Sequence, residues 1–435
     1  MNDALYNGAF NGSACRDTDL QWIVAQEGSR ENYSVPVAFH RQKKLRRLYV
    51  DTWCRWGRTI LRNGPAGVRA LATHYSPELP PEKVVSFGPA AIFSRVKRHF
   101  QQKHLTTAEL GEWYCRFGEW FATRVRDYLK TTNLCAASDL FFGFNTNSLE
   151  ALEWLRSEGI FTVVDQVDPG RVEEDIVIEE SERWPAWGRV PGRLPQNYWD
   201  RIAAEWAVAD LVLVNSEWSR AALVEQGVAN EKVVVVPLAI DFTSNHARAP
   251  VNPQGPLQVL WLGTINLRKG IQYLVEAARQ LQNEKIEFLI AGPLGISDDA
   301  VRSFPPNMKL LGRLARDQTD EVYRRAHVFV LPTLSDGFAI TQLEAMAHCL
   351  PVITTPNCGR VVTNGLNGFI VPVRDSHALA NALATLNSDR ELLRSMSKEA
   401  LHAAARYNLQ SHARLLNETV ARHRQKTGCK AAVAL

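Results

Sequence analysis

Two carboxylates and two cations stand out in this chain by type and spacing. Asp336 and Glu344 lie eight positions apart within H-V-F-V-L-P-T-L-S-D-G-F-A-I-T-Q-L-E-A-M-A-H-C-L-P-V-I, residues 327–353. An apolar strand runs to Leu331 and breaks at Pro332, Ser335, Asp336 and Gly337. A helical pattern follows, with Ile340, Leu343 and Ala347 on one side. This spacing predicts Asp336 at the mouth of a helix and Glu344 about two turns in, on similar sides. A helix mouth opened by a glycine offers free N–H groups and the positive dipole end, so Gly337, Phe338 and Ala339 make a seat for a diphosphate. An ionised carboxylate only accepts hydrogen bonds, which suits Glu344 to a pair of neighbouring hydroxyls. Arg268 and Lys269 follow another apolar strand, L-Q-V-L-W-L, in G-T-I-N-L-R-K-G. The blander alternatives are an Asp336 that merely caps the helix and a solvated helix start at Arg268 and Lys269. Two cations at a helix start oppose its dipole, which favours an anionic ligand there.

The elements that must position these groups read as alternating strands and helices. At 435 residues the chain exceeds a single core, so two domains are expected. With 46% hydrophobic and 22% charged residues the composition is globular. No run approaches bilayer length, and the first ten residues lack a basic or apolar leader pattern. Seven cysteines without a C-x-x-C spacing argue against a disulfide framework or zinc site. Cytoplasmic placement follows as the expectation.

In order, Leu20–Ala25, Leu45–Val50, Leu140–Phe144, Phe161–Val164 and Leu211–Val214 read as strands. Gly28 after the first allows close approach by a ligand or simply a turn. Thr106 with Glu109 opens a long helix to Lys130, and its stripe Leu110, Trp113, Phe117, Trp120 and Tyr128 reads as core. Residues 242–256 have the composition of a linker. Strands restart at Leu257–Leu262, Phe288–Ala291, Met308–Leu311 and Val328–Leu331. The tail from Ser376 to about Arg422 is helical in pattern. Alternation of this kind predicts mostly parallel sheets.

D-G-F-A-I-T-Q-L-E-A-M-A resembles the donor motif of glycosyltransferase family 4, usually E-G-F-G-x-x-x-x-E-A-M-A. The run A-D-x-V-x-x-N-S, Gly227 and V-P-x-x-I-D also resembles the end of that family's first domain. The chain departs at Asp336 for the first glutamate, at Ala339 for the second glycine, and at Thr264 for the arginine of G-R-L-x-x-x-K-G. Asn357-Cys358-Gly359-Arg360 stands where family members often carry G-G-x-P-E.

The resemblance implies a GT-B fold: two Rossmann-like domains, α/β, with a donor/acceptor cleft between them. The expected boundaries are 1–245 for the acceptor domain and 246–410 for the donor domain. A C-terminal helix and tail, 411–435, is expected to pack back on the first. The implied activity is retaining transfer of a sugar from a nucleotide-diphosphate sugar, UDP- or GDP-linked, to a glycan or lipid-linked acceptor in polysaccharide or glycoconjugate biosynthesis. Arg268, Lys269, Gly337, Phe338 and Ala339 would then hold the donor phosphates, Asp336 the donor sugar and Glu344 the ribose. Asp165, Asp168, His40 and Gly28 are the acceptor-side or catalytic candidates. The alternatives are a non-catalytic sugar-nucleotide-binding protein and a GT-B epimerase.

No permanently bound cofactor or metal is expected, because the protein supplies the cations. Asp17-Thr18-Asp19 spells a metal-binding D-x-D but precedes the first strand. Eight cations against one acid between Arg41 and Arg62, with Trp53 and Trp56, and the basic apolar stretch 92–103 suggest an anionic membrane surface as partner. That would place the protein peripherally on the inner face. No nucleic-acid fold signature accompanies these residues, so nucleic acid is not an expected partner.

Overall fold

A computed structural model describes residues 20–58, 61, 69–88, 91–92, 105–241 and 255–431. Its strands are short, apolar and flanked by helices, as buried parallel strands require. The first lobe runs β1 (Gln21–Gln26), α1 (Ser34–Arg41), β2 (Leu45–Val50), β3 (Val84–Ser86), α2 (Thr107–Leu129), β4 (Asp139–Phe144) and α3 (Leu149–Ser157). It continues with β5 (Phe161–Gln166), α4 (Arg171–Arg183), α5 (Gln196–Val208), β6 (Leu211–Val214), α6 (Glu217–Glu225) and β7 (Val233–Val235). All neighbours pair in parallel, in the order β3-β2-β1-β4-β5-β6-β7.

The second lobe holds β8 (Leu257–Leu262), α7 (Ile271–Gln280), β9 (Ile286–Ala291), α8 (Asp298–Arg302), β10 (Met308–Gly312) and α9 (Arg316–Arg325). Then come β11 (Val328–Leu331), α10 (Thr341–Ala347), β12 (Val352–Thr354), β13 (Gly368–Ile370), α11 (Ser376–Ser388), α12 (Arg390–Ala404) and α13 (Leu409–Ala431). Its parallel sheet has the order β10-β9-β8-β11-β12-β13. Strand order reverses beside β1 in one lobe and β8 in the other. Such switch points open a crevice at the carboxyl ends of the strands, where doubly wound sheets bind ligands.

The last helix leaves the second lobe and closes the first. Leu409, Ala413, Leu416 and Val420 of α13 sit in one core with Trp22, Val24 and Phe39. Trp22 Nε1 donates to Asn417 Oδ1 at 2.9 Å, so the buried indole N–H of β1 is satisfied by α13.

Two local expectations need correction. The helix after β11 begins at Thr341, not at Asp336. The α2 capping box forms as read, with Glu109 N donating to Thr106 Oγ1 at 3.2 Å and Thr106 N donating to Glu109 Oε2 at 2.7 Å. Its buried face, however, is Phe117, Phe121, Val125 and Leu129, while Tyr128 is 41% exposed. Aromatic content misplaced that stripe, because both faces of the helix carry rings. Some of the cations from Arg41 onward are paired with acids. Arg41 pairs with Glu78 and Asp241, and Arg46 with Asp139. Arg62, residues 93–103, residues 242–254 and the Asp17-Thr18-Asp19 tripeptide lie outside the described residues. Among the described residues no helix is long and apolar enough to cross a membrane.

Candidate active site in the cleft between the lobes

On the second lobe two loops at the strand ends are locked together. After β8 the chain makes a single 3-10 turn, Leu267–Lys269, capped by Asn266 Oδ1 accepting from Lys269 N at 3.0 Å. Gly270 follows at φ +73, and a Cβ there would lie 1.8 Å from the Pro332 carbonyl oxygen. Only glycine permits both that conformation and that approach. Leu334 N and Thr333 Oγ1 both donate to the Arg268 carbonyl, at 2.8 and 3.2 Å. The two loops therefore present Lys269 and Asp336 side by side, with Lys269 Nζ against the Asp336 carboxyl.

Both members of this pair are largely buried, at 17% and 12% side-chain exposure. Burial pushes the Lys269 ammonium down to about 7, Arg268 adds to the depression, and Glu173 opposes it. Asp336 Oδ1 accepts from Ala339 N at 3.0 Å, and its own N–H donates to the Asn357 carbonyl at 3.0 Å. The shortened Asn357–Gly359 loop thus braces the acid, with Gly359 N donating to Phe338 O at 3.0 Å. Phe338 packs its ring into the core. Glu344, half-buried on α10, accepts from Tyr323 OH at 3.1 Å.

The diphosphate seat differs from the sequence reading. The helix has seven residues and starts two positions beyond Ala339, whose N–H is already engaged by Asp336. Ala339 stands at φ +62, the left-handed region that a glycine would occupy freely. Gly337 serves close approach instead. A Cβ on it would lie 2.0 Å from the Val167 carbonyl of the first lobe.

On the first lobe, Asp165 is the penultimate residue of β5, with Asp168 two residues beyond the strand. The Asp165 carboxyl is held well above its ordinary range by burial and by Glu31, with Arg30 opposing. Asp168 Oδ1 accepts from Gly170 N and Gln166 Nε2, both at 2.9 Å, so it fixes the turn into α4. Past β1, Glu31, Asn32 and Tyr33 have φ of 48, 53 and 65, three consecutive left-handed non-glycine residues. Each costs roughly 1–2 kcal/mol, and strain of this kind gathers at functional sites. Gly28 does not face a ligand with its N–H, which donates to Asp51 Oδ1 at 2.7 Å. His40 does not reach the cleft. It is the penultimate residue of α1, which runs back to the opposite end of the strands, where Lys44 O accepts from Trp22 N at the start of β1.

The lobes touch through residues that the sequence reading passed over. Glu173 Oε2 accepts from Arg268 Nη1 at 3.1 Å and from Ser335 Oγ at 2.9 Å. Arg268 is therefore a clamp between lobes in this state, rather than a cation open to phosphate. Trp218 Nε1 donates to Ser335 Oγ at 3.1 Å. Glu180, with no exposed surface, accepts from Gln272 Nε2 at 3.0 Å, Tyr273 OH at 2.5 Å and Arg374 Nε at 2.8 Å. Glu173 and Glu180 are seven apart on α4, one face of a helix. That spacing within V-E-E-D-I-V-I-E-E is the signal that could have marked them.

Two parallel doubly wound sheets facing each other across this cleft define a GT-B fold. Residues 256–389 match the family model described as Glycosyl transferases group 1. The chain is 28% identical over 224 residues to the UDP-Gal:alpha-D-GlcNAc-diphosphoundecaprenol alpha-1,3-galactosyltransferase of Escherichia coli, covering 46% of this chain and 56% of that protein. The chain spans about half the length of the curated relatives it matches. Among solved structures, sucrose-phosphate synthase from Thermosynechococcus elongatus is similar at TM-score 0.63 and 17% identity, over 94% of this chain and all of that one. Anabaena HepE in complex with UDP and glucose is similar at TM-score 0.58 and 15% identity, over 93% of this chain and all of that one.

Proposed function

We propose that the protein is a retaining glycosyltransferase that moves a sugar from a nucleotide-diphosphate donor to a glycan or lipid-linked acceptor in glycoconjugate biosynthesis. The observation that carries this reading is the buried Lys269–Asp336 pair at the switch point of the second sheet, facing the carboxyl end of β5. A UDP- or GDP-sugar would lay its diphosphate against Lys269, its sugar hydroxyls on Asp336 and its ribose on Glu344. HepE's complexes with UDP and glucose, and the galactosyltransferase's UDP-Gal donor and diphosphoundecaprenol acceptor, support that assignment. We read residues 1–245 as the acceptor domain, 246–410 as the donor domain and 411–435 as a closing helix and tail.

The chemistry follows from charge. As the glycosidic bond stretches, the leaving diphosphate gains negative charge, and a cation already in place stabilises that state more than the ground state. Lys269 meets this need by taking full charge as the diphosphate arrives. Opening of the Glu173 contact would add Arg268. An acceptor hydroxyl entering from the first lobe attacks on the face that the diphosphate leaves, and the departing phosphate oxygen takes the hydroxyl proton. The protein's own cations make a divalent metal unnecessary in this scheme.

The Arg268–Glu173 pair also favours a second reading, a non-catalytic sugar-nucleotide-binding protein whose cleft rests closed. One assay separates the two: nucleotide release from a panel of UDP- and GDP-sugars, with and without glycan and polyprenyl-phosphate acceptors, with and without EDTA. Acceptor-dependent release that survives EDTA supports the transferase. Donor binding without any release supports the binder. Release abolished by EDTA and restored by magnesium or manganese overturns the metal-free scheme.

A further inference from the structure

A small cavity of about 10 Å³ lies beneath the cleft edge of the first sheet, and three of its lining groups are Glu31, Asp165 and His412. The rest of its wall is apolar, from β4, β6, the 236–238 segment, α1 and α13. A space of this size holds about one water. His412 comes from α13, the helix that returns from the second lobe. Its Nδ1 lies 2.9 Å from the Pro237 carbonyl, which can only accept, so the ring proton sits on Nδ1. Nε2 then carries a lone pair. It is sealed from solvent and has no partner among the described residues. A buried acceptor without a donor is costly unless something in the cavity supplies one.

The groups that could do so are the two carboxyls. Glu31 Oε2 accepts from Ser34 Oγ at 2.9 Å, on the strained turn after β1. We infer that His412 is a positioning residue for Asp165: through one water in this cavity its Nε2 accepts a hydrogen bond that holds the Asp165 carboxyl in its protonated form and fixed in orientation. Burial and the neighbouring Glu31 push Asp165 up, burial pushes Glu31 up, and burial pushes His412 below its ordinary value against the Pro237 hydrogen bond. The remaining charges acting on Asp165 are Arg30, which opposes its protonation, and Asp168, which favours it. An acid, a water and a neutral imidazole thus form a chain that runs from the Asp165 hydroxyl to the His412 Nε2 lone pair. The second lobe's terminal helix thereby sets the ionisation of a carboxyl on the first lobe's cleft edge.

The kinetic arm of the test rests on the transferase reading, whereas the spectroscopic arm uses the protein without substrate. In that state the infrared spectrum at neutral pH should show a protonated carboxyl band that is lost in Asp165→Asn. The band should shift in His412→Phe and be kept in His412→Gln, whose amide oxygen can still accept. Loss of a hydrogen bond to the neutral acid lowers its pKa. The alkaline limb of the nucleotide-release pH profile, where the protonated Asp165 is lost, should therefore move to lower pH by about one unit in His412→Phe and stay in place in His412→Gln. Thermal unfolding confirms that each variant is folded. No protonated carboxyl in the wild type, or identical spectra and profiles for wild type and folded His412→Phe, would overturn the inference.

Discussion

Arg268 of the second lobe and Glu173 of the first meet across the cleft at 3.1 Å, and Ser335 donates to the same carboxylate oxygen at 2.9 Å. The cation next to Lys269 is therefore held by an internal carboxylate where a diphosphate would compete for it. Glu173→Gln removes that competitor while keeping the side chain's size. It should tighten UDP binding by up to about tenfold, the equivalent of roughly 1.4 kcal/mol for a charge-assisted contact. Titration calorimetry with UDP measures it. Unchanged or weaker binding would mean that Arg268 plays no part in donor capture.

The depressed Lys269 pKa gives a pH prediction with a definite sign. The ordinary lysine value is 10.5, and burial brings Lys269 to about 7 in the native state. Between those two values the unfolded chain holds a proton that the folded site lacks, so this group makes stability rise with pH across that window. UDP binding above pH 7 should take up a proton, since the diphosphate restores the charge. Calorimetry at pH 8 in two buffers of different ionisation heat should show this uptake in the wild type and not in Lys269→Met. Equal heats in both buffers for the wild type would contradict it.

Ala339 occupies φ +62. The left-handed region costs a side-chain-bearing residue roughly 1–2 kcal/mol, and glycine's unfolded-state entropy returns about half of that. Ala339→Gly should raise stability by about 0.5–1 kcal/mol, read as a higher midpoint in urea with an unchanged slope. A lower midpoint would show that the methyl group contributes packing worth more than the strain.

Strand positions in the second lobe were legible because each is a short apolar run between turn residues. Leu257–Leu262 and Val328–Leu331 fall where periodicity puts them. Asp336 and Lys269 were legible as a pair of motifs, though not as partners. The helix start was not, since Asp-Gly before an apolar stretch reads as a cap. Instead, Gly337 must reach Val167 across the cleft, so the chain stays irregular to Thr341. Arg268 read as an open cation because its partner Glu173 lies 95 residues away, a distance at which local pattern says nothing. His412 was hidden for the same reason: only the return of α13 brings it beneath Asp165.

The basic stretches 41–62 and 92–103 keep a separate expectation. Trp56 is 79% exposed beside Arg55, whose guanidinium lies 5.0 Å from its ring. Anionic leaflets attract nearby cations by roughly 1 kcal/mol each, and salt screens that attraction. The protein should therefore co-sediment with anionic vesicles at low salt and less at high salt. Changing Arg95, Lys97 and Arg98 to Glu should weaken the association. A wild type that ignores such vesicles at low salt would assign these cations to solvation alone.

The role of Lys269 is tested most directly by single-turnover nucleotide release in Lys269→Ala, compared with wild type on the same donor and acceptor. Loss of a charge-assisted contact to the leaving diphosphate should slow release by about 10²–10³-fold, roughly 2.7–4 kcal/mol of transition-state stabilisation, while the variant remains folded. Near-wild-type release from folded Lys269→Ala would contradict the placement of the donor diphosphate on the Lys269–Asp336 pair.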